Sequence, residues 1–360
     1  MRILYDYQIL LAQKYGGISR YYYELIERMR KQKDVSADIY CYFNQNAYFE
    51  GMFSDRGKDW LKRLGETRVN QKVTLFQIRK NHYDIIHPTY YDPYILDKKS
   101  GKLVITVYDM IHERYADTLG RNDPGVIEMK KKMILAANHI IAISESTKRD
   151  ILEFYPEVPE EKITVVYIAS NFKPSFNEEI VQRFPEKYIL FVGSRDTYKN
   201  FKRFFEAVKP MLEEDQDLHL VCVGGGAFTE NERTEQGPLS ARVHQINAGD
   251  EILSCAYTKA QCFVFPSQYE GFGIPTLEAF ACDCPVVLSN TSSMPEVGGD
   301  AVVYVDPLNA EDMRGKIREV LTDSELREEL VTRGRKQLTR FDWDQIATET
   351  LECYRKVLGQ

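Results

Sequence analysis

Two glutamates bracket a glycine loop in the segment 266–279, which runs Pro-Ser-Gln-Tyr-Glu-Gly-Phe-Gly-Ile-Pro-Thr-Leu-Glu-Ala. The apolar run Cys262–Phe265 before it predicts a strand, and the residues after Gly273 predict a helix. Glycines let a ligand approach the backbone closely, and free amides at a helix start favour an anion. The carboxylates of Glu270 and Glu278 can accept hydrogen bonds from hydroxyl groups. This set suits a ligand with both phosphates and sugar hydroxyls. The alternative is that the glutamates are solvated and the glycines only turn the chain.

Two cations follow the predicted strand Tyr188–Val192, in the sequence Gly-Ser-Arg-Asp-Thr-Tyr-Lys-Asn at 193–200. Arg195 and Lys199 flank one turn, so we expect both to point at one ligand. A leaving nucleoside diphosphate gains negative charge as its bond breaks, and fixed cations stabilise that transition state more than the ground state. Arginine grips phosphate oxygens bidentately, and lysine acts as a compact charge. The spacing favours a diphosphate site, with two surface cations as the alternative.

Two more glycine loops follow predicted strands. Gly16 and Gly17 come after strand Arg2–Tyr5 and open an aromatic-rich helix, where their amides can hold a phosphate. Gly225 lies in the run Val223–Gly226, which ends another strand and lets a nucleotide approach. For each loop, a structural turn is the alternative interpretation.

Polar and aromatic side chains also follow strands in the N-terminal half. His87 and Tyr90 come at and just after one predicted strand, and Asp109 and His112 follow the strand Leu103–Tyr108. Ligands bind at the carboxyl ends of the strands in open α/β sheets, so these residues occupy a candidate edge. Rings and hydroxyls there can stack on a sugar and hydrogen-bond to it. Packed aromatics, a structural histidine and a helix-capping aspartate are the alternatives.

Short apolar runs alternate with helical segments along the chain. The predicted strands are Arg2–Tyr5, Ala37–Tyr42, Ile85–His87, Leu103–Tyr108, His139–Ile143, Thr164–Val166, Tyr188–Val192, Leu218–Val223, Cys262–Phe265, Pro285–Leu288 and Val302–Val305. They are rich in β-branched or aromatic residues without strict alternation, as in parallel sheets covered on both faces. The pattern predicts an α/β protein with doubly wound sheets.

The length of 360 residues predicts about two domains, at roughly 150 residues each. The weakly periodic segment 171–186 predicts a linker between a first domain, 1–170, and a second, 187–342. The tail, 343–360, carries one apolar helical stripe, with Asp342 as its N-cap.

Composition excludes several classes of protein. A net charge of −7 argues against a nucleic-acid binder that neutralises phosphates. No apolar run approaches about 18 residues, and the N-terminus enters a strand directly, so we predict neither a transmembrane helix nor a signal peptide. Seven cysteines, several within apolar runs, predict a reduced, cytoplasmic protein. We interpret Lys130–Lys132 as a solvated helix face, with membrane-headgroup contact as the alternative.

The segment 265–279, Phe-Pro-Ser followed by Glu-Gly-Phe-Gly-x-Pro-x-x-Glu-Ala, resembles the signature of retaining, nucleotide-sugar-dependent glycosyltransferases of family 4. The resemblance spans nearly the whole chain and is strongest from Tyr188 to Pro307. It implies the GT-B architecture, in which two Rossmann-like doubly wound parallel-sheet domains face each other across a cleft. It also implies that the last helix packs back on the first domain.

The resemblance further implies roles for single residues. Arg195 and Lys199 match the diphosphate-binding pair, Glu270 the residue that contacts the donor sugar, and Glu278 the residue that holds the ribose hydroxyls. The donor-binding residues implied in the glycine loops are Gly16, Gly17, Gly193, Gly225, Gly271, Phe272 and Gly273.

Two positions depart from the family pattern. Many relatives have His-Asp where this chain has Tyr108-Asp109, so the role of that histidine at the donor sugar is lost, shared with Tyr108 or taken by His112. Asp283 stands where relatives commonly carry glycine. Because this position precedes the next predicted strand, the departure concerns the geometry of that loop more than the chemistry of the site. We predict that Asp109 and His112 take part in catalysis and that His87, Tyr90 and Tyr108 bind the acceptor.

The resemblance implies transfer of a hexose-type sugar from a nucleoside-diphosphate sugar to a saccharide or lipid-linked saccharide, in bacterial O-antigen, capsule or exopolysaccharide biosynthesis. It implies no metal or other cofactor, no nucleic-acid partner, and a cytoplasmic protein with peripheral contact to the inner face of the plasma membrane. The nucleotide base and the acceptor stay open. The alternatives are a nucleotide-sugar epimerase of GT-B fold and a catalytically silent sugar-nucleotide-binding scaffold.

Overall fold

A computed structural model describes residues 1–53, 65–97, 101–116, 123–195 and 197–360. They form two compact units. The first comprises Met1–Ile168 together with Asp342–Gln360, and the second comprises Ala169–Phe341.

The described part of the first unit contains a six-stranded parallel sheet in the order β2-β1-β3-β4-β5-β6. Its strands are β1 (Arg2–Tyr5), β2 (Ser36–Ile39), β3 (Ile85–His87), β4 (Lys102–Val107), β5 (His139–Ala142) and β6 (Ile163–Val165). All four residues of β5 are buried, because helices cover both faces of a parallel sheet. The order reverses between β1 and β3, so the carboxyl ends of these two strands form a topological switch point.

Helices connect these strands. They are α1 (Gln8–Ala12), α2 (Gly17–Met29), α3 (Glu66–Lys80), α4 (Ile111–Arg114), α5 (Pro124–Ala136) and α6 (Glu145–Phe154), with 3₁₀ turns at Ala47–Phe49, Pro93–Ile95 and Glu160–Lys162. Ser144 is the N-cap of α6, and its Oγ accepts from the amide of Thr147 at 3.0 Å.

The described part of the second unit also contains a six-stranded parallel sheet, in the order β12-β11-β10-β7-β8-β9. Its strands are β7 (Tyr188–Val192), β8 (His219–Val223), β9 (Val243–Ile246), β10 (Cys262–Phe265), β11 (Val286–Ser289) and β12 (Val303–Val305). Here the switch point lies between the neighbouring strands β7 and β10, where Ile189 pairs with Cys262.

Helices of the second unit flank that sheet. They are α7 (Glu178–Val181), α8 (Phe201–Glu214), α9 (Glu230–Gln236), α10 (Asp250–Lys259), α11 (Ile274–Ala281), α12 (Met294–Gly298), α13 (Ala310–Thr322) and α14 (Ser324–Leu338), with 3₁₀ turns at Thr197–Lys199 and Gly237–Arg242. On α8, Phe204, Val208 and Leu212 recur every four residues and are buried in one apolar cluster with Leu220 of β8 and Val264 of β10.

The tail helix α15 (Trp343–Leu358) belongs to the first unit. Asp342 caps it by accepting from the amides of Asp344 and Gln345. Its buried Tyr354 places the hydroxyl 3.0 Å from that of Tyr5 on β1.

The predicted fold class is confirmed, and the predicted strands coincide with observed strands to within a few residues. Strand β9 was missed, because only Val243 and Ile246 of its four residues are apolar. The segment 171–186 does not stand apart from the second unit. The amide of Ser175 donates to the Oγ of Ser254 at 2.7 Å, and Phe172 packs edge-on against Tyr257.

Candidate functional site

A lysine and a glutamate meet at the switch point of the second unit. Lys199 follows β7 and Glu270 follows β10, and the Lys199 Nζ lies 2.6 Å from the Glu270 Oε1. Their side chains are 15% and 14% exposed, so the pair is shielded but still reached by solvent. Because β7 and β10 are neighbours, the fold brings together two charges that are 71 residues apart in sequence.

Asn200 holds the lysine loop in place. Its backbone is left-handed, with φ of +61°, which asparagine tolerates better than most residues. Its buried Nδ2 donates to the carbonyls of Pro266 at 3.1 Å and Pro307 at 2.6 Å. The amide of Gln268 also donates to the carbonyl of Tyr198 at 2.8 Å. The loop after β7 is therefore tied to the loop after β10, a role that the sequence analysis did not assign.

A Thr-Ser-Ser turn at 291–293 supports the glutamate loop. The Oγ of Ser292 accepts from the amide of Glu270 at 3.0 Å. The Oγ of Ser293 lies 2.9 Å from the carbonyls of both Glu270 and Phe272. The backbone on either side of the Glu270 side chain is thus fixed. This turn was not predicted, although a run of three small hydroxyl residues marks it in the sequence.

The glycine loop enters helix α11 with its backbone crowded. Gly273 has φ of +111°, and a Cβ there would lie 3.2 Å from the Met294 Sδ, so a side chain would be strained. The ring of Phe272 is buried edge-on against Phe341, with centroids 5.5 Å apart. Its predicted contact with a donor is therefore limited to its backbone. Gly271, between Glu270 and Phe272, is partly exposed.

Glu278 lies in the second turn of α11, which begins directly after Gly273 as predicted. Its Oε2 accepts from the hydroxyl of Tyr257 at 3.4 Å. Complete burial raises the pKa of Tyr257 well above its usual value, and the nearby carboxylate raises it further. Tyr257 therefore stays a donor, and the partly exposed Glu278 is oriented by it.

Arg195 forms an ion pair with Glu232, whereas Lys199 forms one with Glu270, and the shared ligand expected for the two cations stays a prediction. Its Nε donates to the Glu232 Oε1 at 2.5 Å, and its Nη1 donates to the carbonyl of Gly224 at 3.3 Å. Its Nη2 donates to the carbonyls of Gly226 and Ala227 at 3.1 and 2.9 Å. The side chain is 5% exposed. The guanidinium is thus engaged with the glycine loop after β8, and the adjacent Asp196 lies outside the described residues.

The loops after β7 and β8 touch through glycines. Gly224, Gly225 and Gly226 all have positive φ, between +72° and +89°. A Cβ on Gly225 would lie 2.7 Å from the Arg195 Nη1 and 3.0 Å from the carbonyl oxygen of Gly193. Gly193 itself has φ of +127°. The predicted donor-binding glycines 193 and 225 are therefore brought together, and each has a backbone conformation that side chains disfavour.

Asp283 occupies a left-handed position just past the end of α11, with φ of +56°. Glycine is the common residue at such helix ends. Arg335 of α14 binds both carboxylate oxygens of Asp283, at 2.6 and 2.7 Å. The unusual residue is thus accommodated at the surface by an ion pair.

His87 does not face a ligand, and its assignment as an acceptor-binding residue is corrected. It is completely buried, with its Nδ1 2.6 Å from the Tyr354 hydroxyl and its Nε2 2.9 Å from the Thr106 Oγ1. Burial lowers the pKa of His87 to about 3, so the imidazole stays neutral. It is the last residue of a strand covered on both faces, and it joins that strand to α15.

Tyr108 is also buried, and the expected acceptor contact of its ring is corrected. The ring packs against Tyr21 and Tyr91, with centroids 6.1 and 6.4 Å away. Tyr90 differs because it stays partly exposed beside Tyr91, with centroids 4.6 Å apart. Of the three predicted acceptor residues, Tyr90 alone keeps an exposed surface.

A buried lysine organises the loop after β4. The Lys130 Nζ lies 2.8 Å from the Glu113 Oε2 and 3.0 Å from the carbonyl oxygen of Asp109. Its side chain is buried, so the prediction of a solvated face holds only for Lys131 and Lys132. The interpretation failed because the ion partner of Lys130 comes from another helix, α4.

The candidate residues Asp109 and His112 belong to that loop. The Asp109 Oδ1 accepts from the amide of Ile111, the first residue of α4, at 3.1 Å, and the carboxylate stays about one-third exposed. His112 lies on α4 and is partly exposed. The N-cap position of α4 is Met110, one residue after Asp109, and a part for Asp109 in catalysis stays a prediction.

Gly16 and Gly17 open α2, as the sequence suggested. The Gln13 side chain fills the space where a Cβ on Gly16 would sit, and its Oε1 accepts from the amide of Ser19 at 3.2 Å. At the switch point of this unit, the buried Asp6 carboxylate accepts from the amide and hydroxyl of Thr89, both at 2.8 Å. Asp6 was not predicted as a site residue.

No helix among the described residues is long and apolar enough to cross a membrane. In the same part of the chain, no cluster of three or more His, Cys, Asp or Glu side chains has the arrangement of a metal site.

Two protein-family models match the chain, one in each unit. Glycosyltransferase Family 4 matches residues 15–169, and Glycosyl transferases group 1 matches residues 174–337. Together they cover most of the sequence, including the three loops of the second unit described above.

Some relatives and solved structures match this chain over nearly its full length. O-antigen chain mannosyltransferase B of Escherichia coli is 24% identical, over 94% of this chain and 96% of that protein. The sucrose-phosphate synthase structure from Thermosynechococcus elongatus superposes with a TM-score of 0.75 at 20% identity, over 99% of each chain. The structure of Anabaena HepE in complex with UDP and glucose superposes with a TM-score of 0.71 at 13% identity, over 98% of each chain.

Proposed function

The chain belongs to the family 4 glycosyltransferases of GT-B fold, and from this premise we propose that its donor is a nucleoside-diphosphate sugar bound by the second unit. One observation carries the proposal: Lys199 and Glu270 meet at the carboxyl ends of two neighbouring strands where the sheet order reverses. Such a switch point is where open α/β sheets bind nucleotides. A cation and a carboxylate there suit a diphosphate and a sugar hydroxyl.

Lys199 is proposed to hold the diphosphate. As the bond between the sugar and the diphosphate breaks, negative charge grows on the phosphate oxygens, and a fixed ammonium stabilises it. Its shielded position strengthens that interaction, because charges interact more strongly away from bulk water. Backbone amides of Gly271, Phe272 and Gly273 are proposed to bind the phosphate and sugar oxygens.

Glu270 is proposed to position the donor sugar and not to attack it. Its backbone is fixed by Ser292 and Ser293, and its carboxylate is held by Lys199. Retaining glycosidases use a free carboxylate as nucleophile. In the proposed reaction, the acceptor oxygen bonds to the anomeric carbon on the face from which the diphosphate leaves. The electron pair of the broken bond stays on the diphosphate, and one of its oxygens takes the acceptor proton.

The other candidates keep proposed roles that their surroundings allow. Glu278, oriented by Tyr257, is proposed to bind the ribose hydroxyls. Gly193 and Gly225 are proposed to let the nucleotide approach the backbone. In the first unit, the exposed surfaces of Tyr90, Asp109 and His112 and the amides of Gly16 and Gly17 are the proposed donor and acceptor contacts.

We propose a hexose as the transferred sugar, with mannose the first to test, because the E. coli relative is named as a mannosyltransferase of the O-antigen chain. The pathway would be O-antigen, capsule or exopolysaccharide synthesis, and the acceptor a saccharide or lipid-linked saccharide. No metal is assigned a role, because Lys199 and the amides supply the positive charge that the diphosphate needs.

Peripheral contact with the inner face of the plasma membrane, and hence a cytoplasmic location, is proposed on a face of α3. That face carries four exposed side chains spaced four residues apart: Arg68, Lys72, Phe76 and Lys80. The side chain of Phe76 is 58% exposed. A basic helix face with an outward aromatic suits an anionic lipid surface. Vesicles containing phosphatidylglycerol should bind the wild type but not the variant Lys72→Glu/Phe76→Ser, and pure phosphatidylcholine should bind neither.

The transfer reaction tests the proposed activity. UDP-glucose, UDP-galactose and GDP-mannose would each be incubated with a saccharide acceptor, and the anomeric configuration of the product read by NMR. The proposal expects one donor to give a product with the configuration of the donor. An inverted product, or a covalent sugar adduct on Glu270, contradicts the mechanism. Conversion of the sugar without any acceptor supports the epimerase instead.

A further inference from the structure

The glycine loop 224–227 contacts a partly buried ion pair, between Arg195 and Glu232, that the donor site leaves unexplained. We propose that Arg195 and Glu232 are positioning residues, which hold this loop in the form that admits the nucleotide. Lys199 alone of the two loop cations then contacts the diphosphate. The inference rests on the proposed donor site and reassigns Arg195 within it.

The contacts of Arg195 favour a fixed position. All three guanidinium nitrogens donate, and the acceptors are Glu232 and the carbonyls of Gly224, Gly226 and Ala227. The guanidinium carbon also lies 4.5 Å from the ring centroid of Phe228. Turning the arginine toward a phosphate would break its hydrogen bonds to three carbonyls and a carboxylate. A guanidinium in this setting stabilises the loop it already binds.

Glu232 is fixed independently of Arg195. It is the third residue of α9 and completes a capping box with Thr229: its Oε2 accepts from the Thr229 amide at 2.7 Å and from the Thr229 hydroxyl at 2.9 Å. Burial would raise the pKa of this carboxyl, but hydrogen bonds from Arg195 and Thr229 lower it below its usual value. The carboxylate therefore stays ionised and anchors the arginine to α9.

The loop itself depends on that anchor. Gly224, Gly225 and Gly226 have three successive positive φ angles, so this run belongs to no helix or strand. The Gly225 position leaves no room for a Cβ because the Arg195 Nη1 is there. Glycine loses the most conformational entropy on ordering, so three in a row need outside hydrogen bonds to keep one shape. The carbonyl contacts of Arg195 supply them.

Hydrogen exchange without any nucleotide tests the loop. The variants are Arg195→Lys, Glu232→Gln and the double variant. Lys199→Ala serves as the comparison, and Glu214→Gln, which removes the surface partner of Arg318, serves as the matched control. We expect peptides spanning 222–229 to exchange about tenfold faster in each single variant than in the wild type. The double variant should exchange no faster than either single variant. The Lys199 and Glu214 variants should exchange like the wild type. Circular dichroism confirms folding.

Affinities for UDP, GDP and ADP complete the test. Arg195→Lys and Glu232→Gln should each weaken binding of the preferred diphosphate by about tenfold, and the double variant should lose no more than either. One combination of results overturns the proposal: Arg195→Lys weakens diphosphate binding without changing the exchange of the loop, and Glu232→Gln tightens diphosphate binding. Glu232 would then only compete with the phosphates for Arg195. If the wild type binds none of the three, the donor hypothesis fails, and the exchange experiment still decides the role of the pair.

Discussion

The ammonium of Lys199 and the carboxylate of Glu270 lie 2.6 Å apart on loops that follow neighbouring strands of the second unit. Asn200 fixes one loop and the turn at 291–293 fixes the other, so the two charges meet in a set geometry. Preorganised charges cost little reorganisation when a reaction develops new charge. This pair is therefore the centre of the proposed donor site.

Replacing Glu270 by glutamine should lower kcat/KM about 100-fold or more, because the neutral amide loses its ionic contact with Lys199 and misplaces the donor. Folding should be retained, since the backbone contacts of Ser292 and Ser293 are untouched. Transfer rates and thermal unfolding are measured beside Glu311→Gln, a surface variant on α13. An effect no larger than in that control argues against a role for Glu270.

Replacing Asp283 by glycine should change the free energy of unfolding by less than about 1 kcal/mol. Glycine removes the cost of a positive φ at this helix end, and the variant loses an exposed ion pair with Arg335. Activity should stay at the wild-type level. Chemical denaturation and transfer rates check both statements, and a large loss of activity would give Asp283 a part in the donor site.

The first unit should lose stability as the pH falls below about 6.5. His87 is buried and neutral, with its pKa lowered to about 3, while the unfolded chain takes up a proton near 6.5. The unfolded state therefore binds more protons than the folded state between pH 3 and pH 6.5. At pH 5 this lowers the free energy of unfolding by about 2 kcal/mol. Urea unfolding followed by the fluorescence of the buried Trp343 measures this. In His87→Gln the free energy of unfolding should depend less steeply on pH. An equally steep dependence would contradict a buried, neutral His87.

Chelation should leave transfer unchanged. In the account above, Lys199 and loop amides neutralise the diphosphate, so EDTA at millimolar concentration should not alter kcat/KM with purified donor and acceptor. The control repeats the assay after adding back Mg²⁺ and Mn²⁺ separately. Loss of activity on chelation, restored by one metal, would replace this account by a metal-dependent one.

Sequence patterns predicted the sheets well and the single contacts less well. Strands such as β10 and β11 are short apolar runs, so their burial follows from composition. Strand β9 carries His244 and Gln245 in its centre, so it lacks that signal. The predicted loops after β7 and β10 do meet, because strand order follows from the doubly wound topology.

Side-chain partners across the fold were beyond sequence reasoning. The sequence around Lys130 does not predict that Glu113 is its buried partner. Arg195 lies four residues from Lys199, but its partner Glu232 comes from a helix 37 residues later. His87 is a core residue because Tyr354, from the far end of the chain, completes its hydrogen bonds. Each case depends on a residue that only the tertiary fold brings near.

Binding of nucleoside diphosphates to the wild type and to Lys199→Ala tests whether Lys199 holds the diphosphate. Lys187→Ala is the matched control, since Lys187 pairs with Asp215 through an exposed ion pair of the same unit. At about 100 times its dissociation constant, a bound diphosphate should stabilise the wild type and the control by roughly 2.7 kcal/mol in a thermal shift. We predict that Lys199→Ala loses most of this stabilisation. Equal stabilisation of all three proteins, or of none, would contradict it.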